Sequence, residues 1–330
     1  MKDRIFITGG LGFIGSHLVR RFVRDGYRVR IYDNYSSGLV DRIADVRKSV
    51  EIIRGDILDT KTLTLAMKGV DIVSHHAAQL EITSAIKDPY FDLTTNTVGT
   101  LNVLEACIKN KVKKLINASS ACVYGQTPGT PSAEDGPTNP NWPYGVSKLA
   151  AEKYCSIYTD LYKLPIVSFR YAIIYGPDEW YGRVMTICIK RGIAGKPLII
   201  FGNGRQTRDF THISEVVEAN MKAIKLSNRN HEIFNVSTGV GTTITRLATL
   251  ISKLSTEHPE IIYDRNVAQG EVSQFINRMR IPNELNHLVL SPIKAKRVLG
   301  ITPLVSLTEG VKQQIEWAER HPTRWQKMSY

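Results

Sequence analysis

The chain has no long apolar run: nothing in its 330 residues approaches the roughly twenty consecutive apolar residues of a bilayer-spanning helix. Its first residues lead into a strand pattern and lack the charged, apolar and small-residue order of a secretory leader. A cytoplasmic protein with no membrane partner is expected. Cysteine is scarce, and Cys107, Cys122, Cys155 and Cys188 stand far apart. That excludes paired metal-ligand spacing and argues against a disulfide framework, so reduced, mostly buried thiols and no metal are expected. Acidic side chains are the minority, 31 against 43 Lys and Arg, for a formal net charge of +12. The surplus does not point to nucleic acid, because its two densest groups, Lys109, Lys111, Lys113, Lys114 and Lys294, Lys296, Arg297, carry no interleaved aromatics for base stacking. A positive field suits a substrate bearing phosphates. Internal repeats and a linker are missing too, so any second lobe must be interleaved with the first.

What the chain does have is apolar content, 42%, enough for a large core, and glycines three apart after its first strand pattern. Ile5-Phe6-Ile7-Thr8 breaks into Gly9, Gly12 and Gly15, with Phe13 and Ile14 opening a helical pattern over 16–24. Gly9 allows a tight turn, Gly12 the close approach of a phosphate, and Gly15 the packing of helix on strand, with a pyrophosphate at the helix N-terminus. A second strand pattern at 27–32 ends in Asp33, where an acidic residue meets the adenosine ribose of a dinucleotide. A carboxylate accepts two ribose hydroxyls and repels an added phosphate, which selects NAD. Arg28, Arg30 and Arg42 leave NADP as the lesser alternative, and a turn residue is the plainer reading of Asp33.

Strand patterns at 50–54, 70–75 and 114–119 alternate with helical patterns at 62–68 and 97–109, and a further strand is read at 166–175. Such alternation predicts an α/β fold with a doubly wound parallel sheet covered on both faces. Ligands bind such sheets at the carboxyl ends of the strands, where the glycine loop, Asp33, Asp56, His75, Ser119 and Ser120 fall. Beyond Pro177 the alternation fails, and the loops at 177–209 read as part of a smaller mixed α/β substrate lobe. A helix at 213–225 and a strand at 232–236 return to the sheet. The expected division is 1–176 with 210–238 for the cofactor and 177–209 with 239–330 for the substrate.

Tyr144 and Lys148 are four apart at the start of a helical pattern, which places them on one face, a turn apart. A phenol ionises at about 10, but an ammonium and an oxidised nicotinamide nearby both favour the phenolate; lowering its pKa by about three units takes roughly 4 kcal/mol. The topology sets the strand end Ser119-Ser120 beside this pair. An aromatic and a lysine on an ordinary helix are the bland alternative.

With these motifs on the page, the chain resembles the extended short-chain dehydrogenase/reductases, and among them the NAD-dependent nucleotide-sugar epimerase/dehydratase group, most of all its UDP-sugar 4-epimerases. TGGLGFIGSH, YDNYSSG, GDILD, HHAAQ, TNTVGTLNVLEA, SSACVYG, PYGVSK, FRYAIIYGP, GNGRQTRDFTHISEVV, FNVSTG and SPIKAKRVLGITPLVSLTEGV carry the resemblance over nearly the whole chain. It implies a Rossmann-type sheet and a catalytic trio of Ser120, Tyr144 and Lys148. Tyr144 is the base, Ser120 bonds the reacting oxygen, and Lys148 holds the nicotinamide ribose. It further implies an NAD site lined by Gly9, Gly12, Phe13, Ile14, Gly15, Asp33, Asn34, Asp56, Ile57, Ala77, Ala78 and Asn96, together with Tyr144 and Lys148. Arg208 and Arg280 would grip the diphosphate of a nucleotide-sugar substrate and Glu284 its ribose, and helices 97–109 and 148–162 would pair in a homodimer. Members that dehydrate or decarboxylate their sugar carry an acid in the segment matching Ser120-Ala121-Cys122; this chain has none there, which favours C4 epimerisation through a transient 4-keto sugar. The substrate would be UDP-glucose or galactose, a UDP-N-acetylhexosamine or a UDP-uronate. A 4,6-dehydratase, a decarboxylase or a 4-ketosugar reductase is the alternative on the same scaffold. Ile173 departs from the family's asparagine, and the loop at 178–183 is the candidate to compensate.

Overall fold

The computed structural model describes residues 2–126, 131–179, 181–227 and 229–326. Trp180 of the loop singled out above and the last four residues of the expected second lobe lie outside them. In chain order the strands are β1 (Arg4–Thr8), β2 (Arg28–Asp33), β3 (Val50–Arg54), β4 (Ile72–His75), β5 (Lys114–Ser120), β6 (Ile166–Tyr171), β7 (Ile173–Tyr175), β8 (Leu198–Phe201), β9 (Thr207–His212), β10 (His231–Val236), β11 (Gly241–Thr243), β12 (Ile261–Asp264) and β13 (His287–Leu288). Seven of them form the main sheet in the order β10-β6-β5-β4-β1-β2-β3, every neighbouring pair parallel. The direction of winding reverses between β1 and β4, which opens the cleft beyond their carboxyl ends to a ligand. The expected Rossmann-type architecture is present.

Alternate residues of these strands feed opposite cores. Phe6, Tyr32, Val73 and Leu115 pack on helices Thr60–Ala66, Gly99–Lys109 and Pro143–Tyr162, whereas Ile5, Ile7, Ile31 and Ile72 pack on helices Phe13–Arg24 and Ile213–Lys225. Both faces are buried, which is why the strands read as continuous apolar runs.

The single strand expected at 166–175 is two. β6 pairs with β10, Ala172 N donates to Val236 O at 3.1 Å, and β7 then leaves the sheet to pair with β9. Apolar content is uninterrupted across this switch, so the pattern concealed it. The region read as loops after Pro177 also contains more than loops: helix Val184–Ile193, β8 and β9 lie there. β9 is flanked by β11 and β13, and β8 pairs with β12. A second core fills this region with Ile189, Leu198, Phe210, Leu247, Ile251, Val311 and Ile315, all buried.

Candidate functional site

The glycine loop is built by contact. Gly9 sits at φ 66°, and a Cβ there would lie 2.7 Å from Ala77 N; a Cβ on Gly15 would lie 2.1 Å from Gly9 O. Only bare backbone lets the helix start press on the loop. Helix Phe13–Arg24 begins after Gly12 with no side-chain cap, so its first N–H groups are open to an anion. Phe13 and Ile14 also pack against the neighbouring core. At the end of β2, Asp33 is buried and accepts from Leu11 N at 3.0 Å and Tyr35 N at 2.9 Å. Those bonds fix the carboxylate while leaving lone pairs for ribose hydroxyls. Burial pushes its pKa up, and the two N–H bonds and Arg42 act against that.

Asn34 Nδ2 donates to Asp56 Oδ2 at 2.8 Å, so these two residues form one edge of the same groove. Ile57 is buried in the core behind it. Across the winding reversal, Thr8 Oγ1 accepts from both His76 N and Ala77 N at 3.1 Å, which ties the Ala77-Ala78 segment to the glycine loop. Two of the arginines that kept NADP open are engaged: Arg30 pairs with Glu51 at 2.7 Å, and Arg42, 1% exposed, lies against Asp178, while Arg28 is exposed.

Asn96 lies in a wide turn, Thr94–Val98, that precedes helix Gly99–Lys109. Its Nδ2 donates to Gln79 O and Asp92 Oδ1 at 3.0 Å and to Ser147 Oγ at 3.2 Å, while its Oδ1 accepts from Gln79 N. Ser147 Oγ in turn donates to Asp92 Oδ2 at 2.6 Å. This buried cluster pins the segment after β4 to the helix that carries Tyr144 and Lys148.

That helix opens with Pro143 and spans Pro143–Tyr162, longer than expected and with both residues in its first turns. Lys148 is buried, and its Nζ donates to Ala118 O of β5 at 2.8 Å. Burial brings its pKa down to about 8, opposed by Asp92. The Tyr144 phenol is raised, not lowered, in the protein alone; burial dominates, and Arg183 and a hydrogen bond from Ser120 work the other way. Positive charge beside it, such as that of an oxidised nicotinamide, would favour a phenolate here.

Ser120, Ala121, Cys122 and Tyr144 line one cavity together with Ile173, Arg208 and Glu284. The structure brings the distant Arg280 to the same place: its Nε donates to Glu284 Oε2 at 3.0 Å, and Arg208 Nη2 lies 4.0 Å from Glu284 Oε1. Gln206 Nε2 also donates to Glu284, at 3.2 Å. Ile173 lines the cavity and packs on the second core.

From the loop singled out in the sequence, Tyr181 and Arg183 line the cavity; Trp142, Tyr171 and Arg278 line it too and escaped sequence reading. Asp92, outside the cavity, escaped it as well; its four-residue spacing from Asn96 was the usable signal. Among the described residues no cluster of His, Cys, Asp or Glu is arranged to hold a metal, and no helix is long and apolar enough to cross a membrane.

Residues 5–237 match the model of the NAD dependent epimerase/dehydratase family. The chain is 35% identical to the UDP-glucose 4-epimerase of Mycolicibacterium smegmatis, over 95% of this chain and 98% of that protein. It is 34% identical to a UDP-N-acetyl-alpha-D-glucosaminuronate decarboxylase of Bacillus cytotoxicus, over 96% and 98%. The crystal structure of the Thermotoga maritima UDP-glucose 4-epimerase with UDP-glucose superposes with a TM-score of 0.87 at 32% identity, covering 97% of this chain and 99% of that one. The chain belongs to the NAD-dependent epimerase/dehydratase family.

Proposed function

We propose that this protein is an NAD-dependent UDP-sugar 4-epimerase. The observation that carries the reading is the acid content of the cavity. Among its described lining residues Glu284 is the sole carboxylate, and it is held by Arg280 and Gln206. Dehydration and decarboxylation of the sugar require a further proton-transfer group beside the ring, whereas the segment next to Ser120 offers Ala121 and Cys122. Overall identity does not discriminate, since an epimerase and a decarboxylase match almost equally well.

Bound NAD supplies a reversible hydride acceptor. Tyr144 takes the proton of the C4 hydroxyl, and Ser120 hydrogen-bonds the oxygen as it becomes a carbonyl. Lys148, anchored on Ala118, would hold the nicotinamide ribose and add positive charge near the phenol. Arg208 and Arg280 hold the diphosphate through bidentate geometry, with Glu284 on the nucleoside ribose. Anchoring at the nucleotide would leave the sugar able to turn, and Tyr144 would return the proton to the C4 oxygen once it has turned. The glycine loop, Asp33, Asn34, Asp56, Ile57, Ala77, Ala78 and Asn96 hold the cofactor.

The test incubates the purified protein, without added cofactor, with UDP-glucose, UDP-N-acetylglucosamine and UDP-glucuronate in turn, following C4 stereochemistry by NMR and product mass by mass spectrometry. Unchanged mass with inverted C4 is the expected result. Loss of water or carbon dioxide would replace the reading with a dehydratase or decarboxylase.

The active form is a cytoplasmic homodimer joined through helices Gly99–Lys109 and Pro143–Tyr162. Supporting this, Val146, Tyr154, Ile157 and Leu161 of the second helix are exposed, the last three at helical spacing, an apolar stripe that a soluble monomer leaves uncovered.

A further inference from the structure

The loop that follows β7 shares one buried ion cluster with the two loops that face the cofactor. Asp178 is 3% exposed and adopts φ 71°, a left-handed conformation that Asp and Asn tolerate better than other residues with a Cβ. Two guanidinium groups clasp it: Arg42 Nε lies 3.4 Å from its Oδ1, and Arg324 Nη1 donates to its Oδ2 at 3.2 Å. Arg42 also donates through Nη1 to Leu11 O and Ser37 O, both at 3.1 Å. Leu11 belongs to the glycine loop, and Ser37 to the loop after Asp33. One residue before Asp178, the Pro177 carbonyl contacts His17 Nε2 at 2.9 Å, a second tie to the helix that follows the glycine loop. A few residues further along, the same loop places Tyr181 and Arg183 in the cavity beside Tyr144.

We propose that Asp178 and Arg42 are positioning residues that couple cofactor retention to sugar-nucleotide binding. A buried ion pair adds little stability over apolar side chains of the same volume, but removing one partner strands the other charge in a dry interior. The two loops it joins are therefore held in a single arrangement. Arg42 can satisfy Leu11 O, Ser37 O and Asp178 together only while the cofactor loops and the sugar loop are both in place. The function of such a tie rests on the epimerase reading: a redox-neutral enzyme must keep its cofactor through every turnover while the sugar is bound and released.

Asp178→Asn preserves shape and tolerance of positive φ while deleting the charge, and Arg42→Met deletes the other partner. Each protein is stripped of loose cofactor by gel filtration, its retained NAD is released and quantified, and its affinity for UDP-glucose is measured by calorimetry. Each single variant should lose at least about threefold in retained NAD and about fivefold or more in UDP-glucose affinity, and the double variant should lose no more than the worse single, as expected of coupled sites. A purely structural pair would lower the unfolding midpoint while NAD content and UDP-glucose affinity stay at wild-type values. That result overturns the proposal, as does a double variant whose losses multiply. Where Asp178→Asn fails to fold, Arg42→Lys serves: it keeps the charge but cannot reach both carbonyls, and unchanged NAD retention in it counts against the coupling. Neither readout requires turnover, so they fail independently of the epimerase reading.

Discussion

Tyr144, proposed as the base, sits where burial works against its phenolate. Burial raises its phenol, and Lys148, itself brought down to about 8, carries less charge at mildly alkaline pH than an exposed lysine would. Tyr144→Phe should leave the fold and NAD content intact and reduce kcat by about 10²–10⁴-fold, the usual contribution of a positioned acid-base group; undiminished turnover would refute its role. Glu179 offers a test of burial by itself. It is 2% exposed, accepts from Gln314 Nε2 at 3.1 Å, and burial pushes its carboxyl from 4.5 up to about 7. Between those values the folded protein keeps a proton that the unfolded chain has released, so this residue's contribution to stability falls as pH rises through that window. Glu179→Gln removes the titration, and its urea midpoint relative to wild type should be higher at pH 8 than at pH 5. Parallel midpoints at both values would show that Glu179 stays ionised.

At the scale of elements, the join of β1 to helix Phe13–Arg24 depends on a contact with no slack. A Cβ on Gly15 would meet the Gly9 carbonyl at 2.1 Å, and backbone cannot give way as a flexible side chain can. Gly15→Ala should therefore push the helix start off the loop and abolish copurified NAD, read as loss of cofactor absorbance in the purified protein. The first strand, the glycine loop, Asp33 and the helix carrying Tyr144 and Lys148 were all legible in sequence because local periodicity and spacing encode them. The split of 166–175 was not. Tyr171, Ala172 and Ile173 are equally apolar on either side of the switch, and the pairing partners that separate β6 from β7, namely β10 and β9, lie tens of residues away. Helix Val184–Ile193 was hidden by the glycine and proline residues that bracket it.

At the scale of the whole molecule, the second core holds together the elements that wall the cavity beyond Pro177. Leu247 and Ile251 are completely buried against β8 and β9 neighbours, and Leu247→Ala should cost about 2–5 kcal/mol, measured by urea unfolding. NAD at a hundredfold excess over its Kd should stabilise the fold by about 2.7 kcal/mol by mass action. NADP should give a much smaller thermal shift, because the Asp33 carboxylate would repel an added phosphate and Arg42 and Arg30 are tied to Asp178 and Glu51. An equal shift from the two cofactors would contradict that assignment.

By itself the sequence determined the parallel sheet, the glycine loop, the acidic end of β2, and the tyrosine and lysine one helical turn apart. Each is a local pattern read over a few consecutive turns or strand residues. Only the tertiary structure decided that Arg280 and Glu284 meet Arg208, that Arg183 and Tyr181 enter the cavity, and that Arg42 joins the glycine loop to Asp178. Those contacts join residues separated by up to 136 positions. Their partners are chosen by how two sheets and two cores pack, which no local pattern of charge or hydropathy specifies.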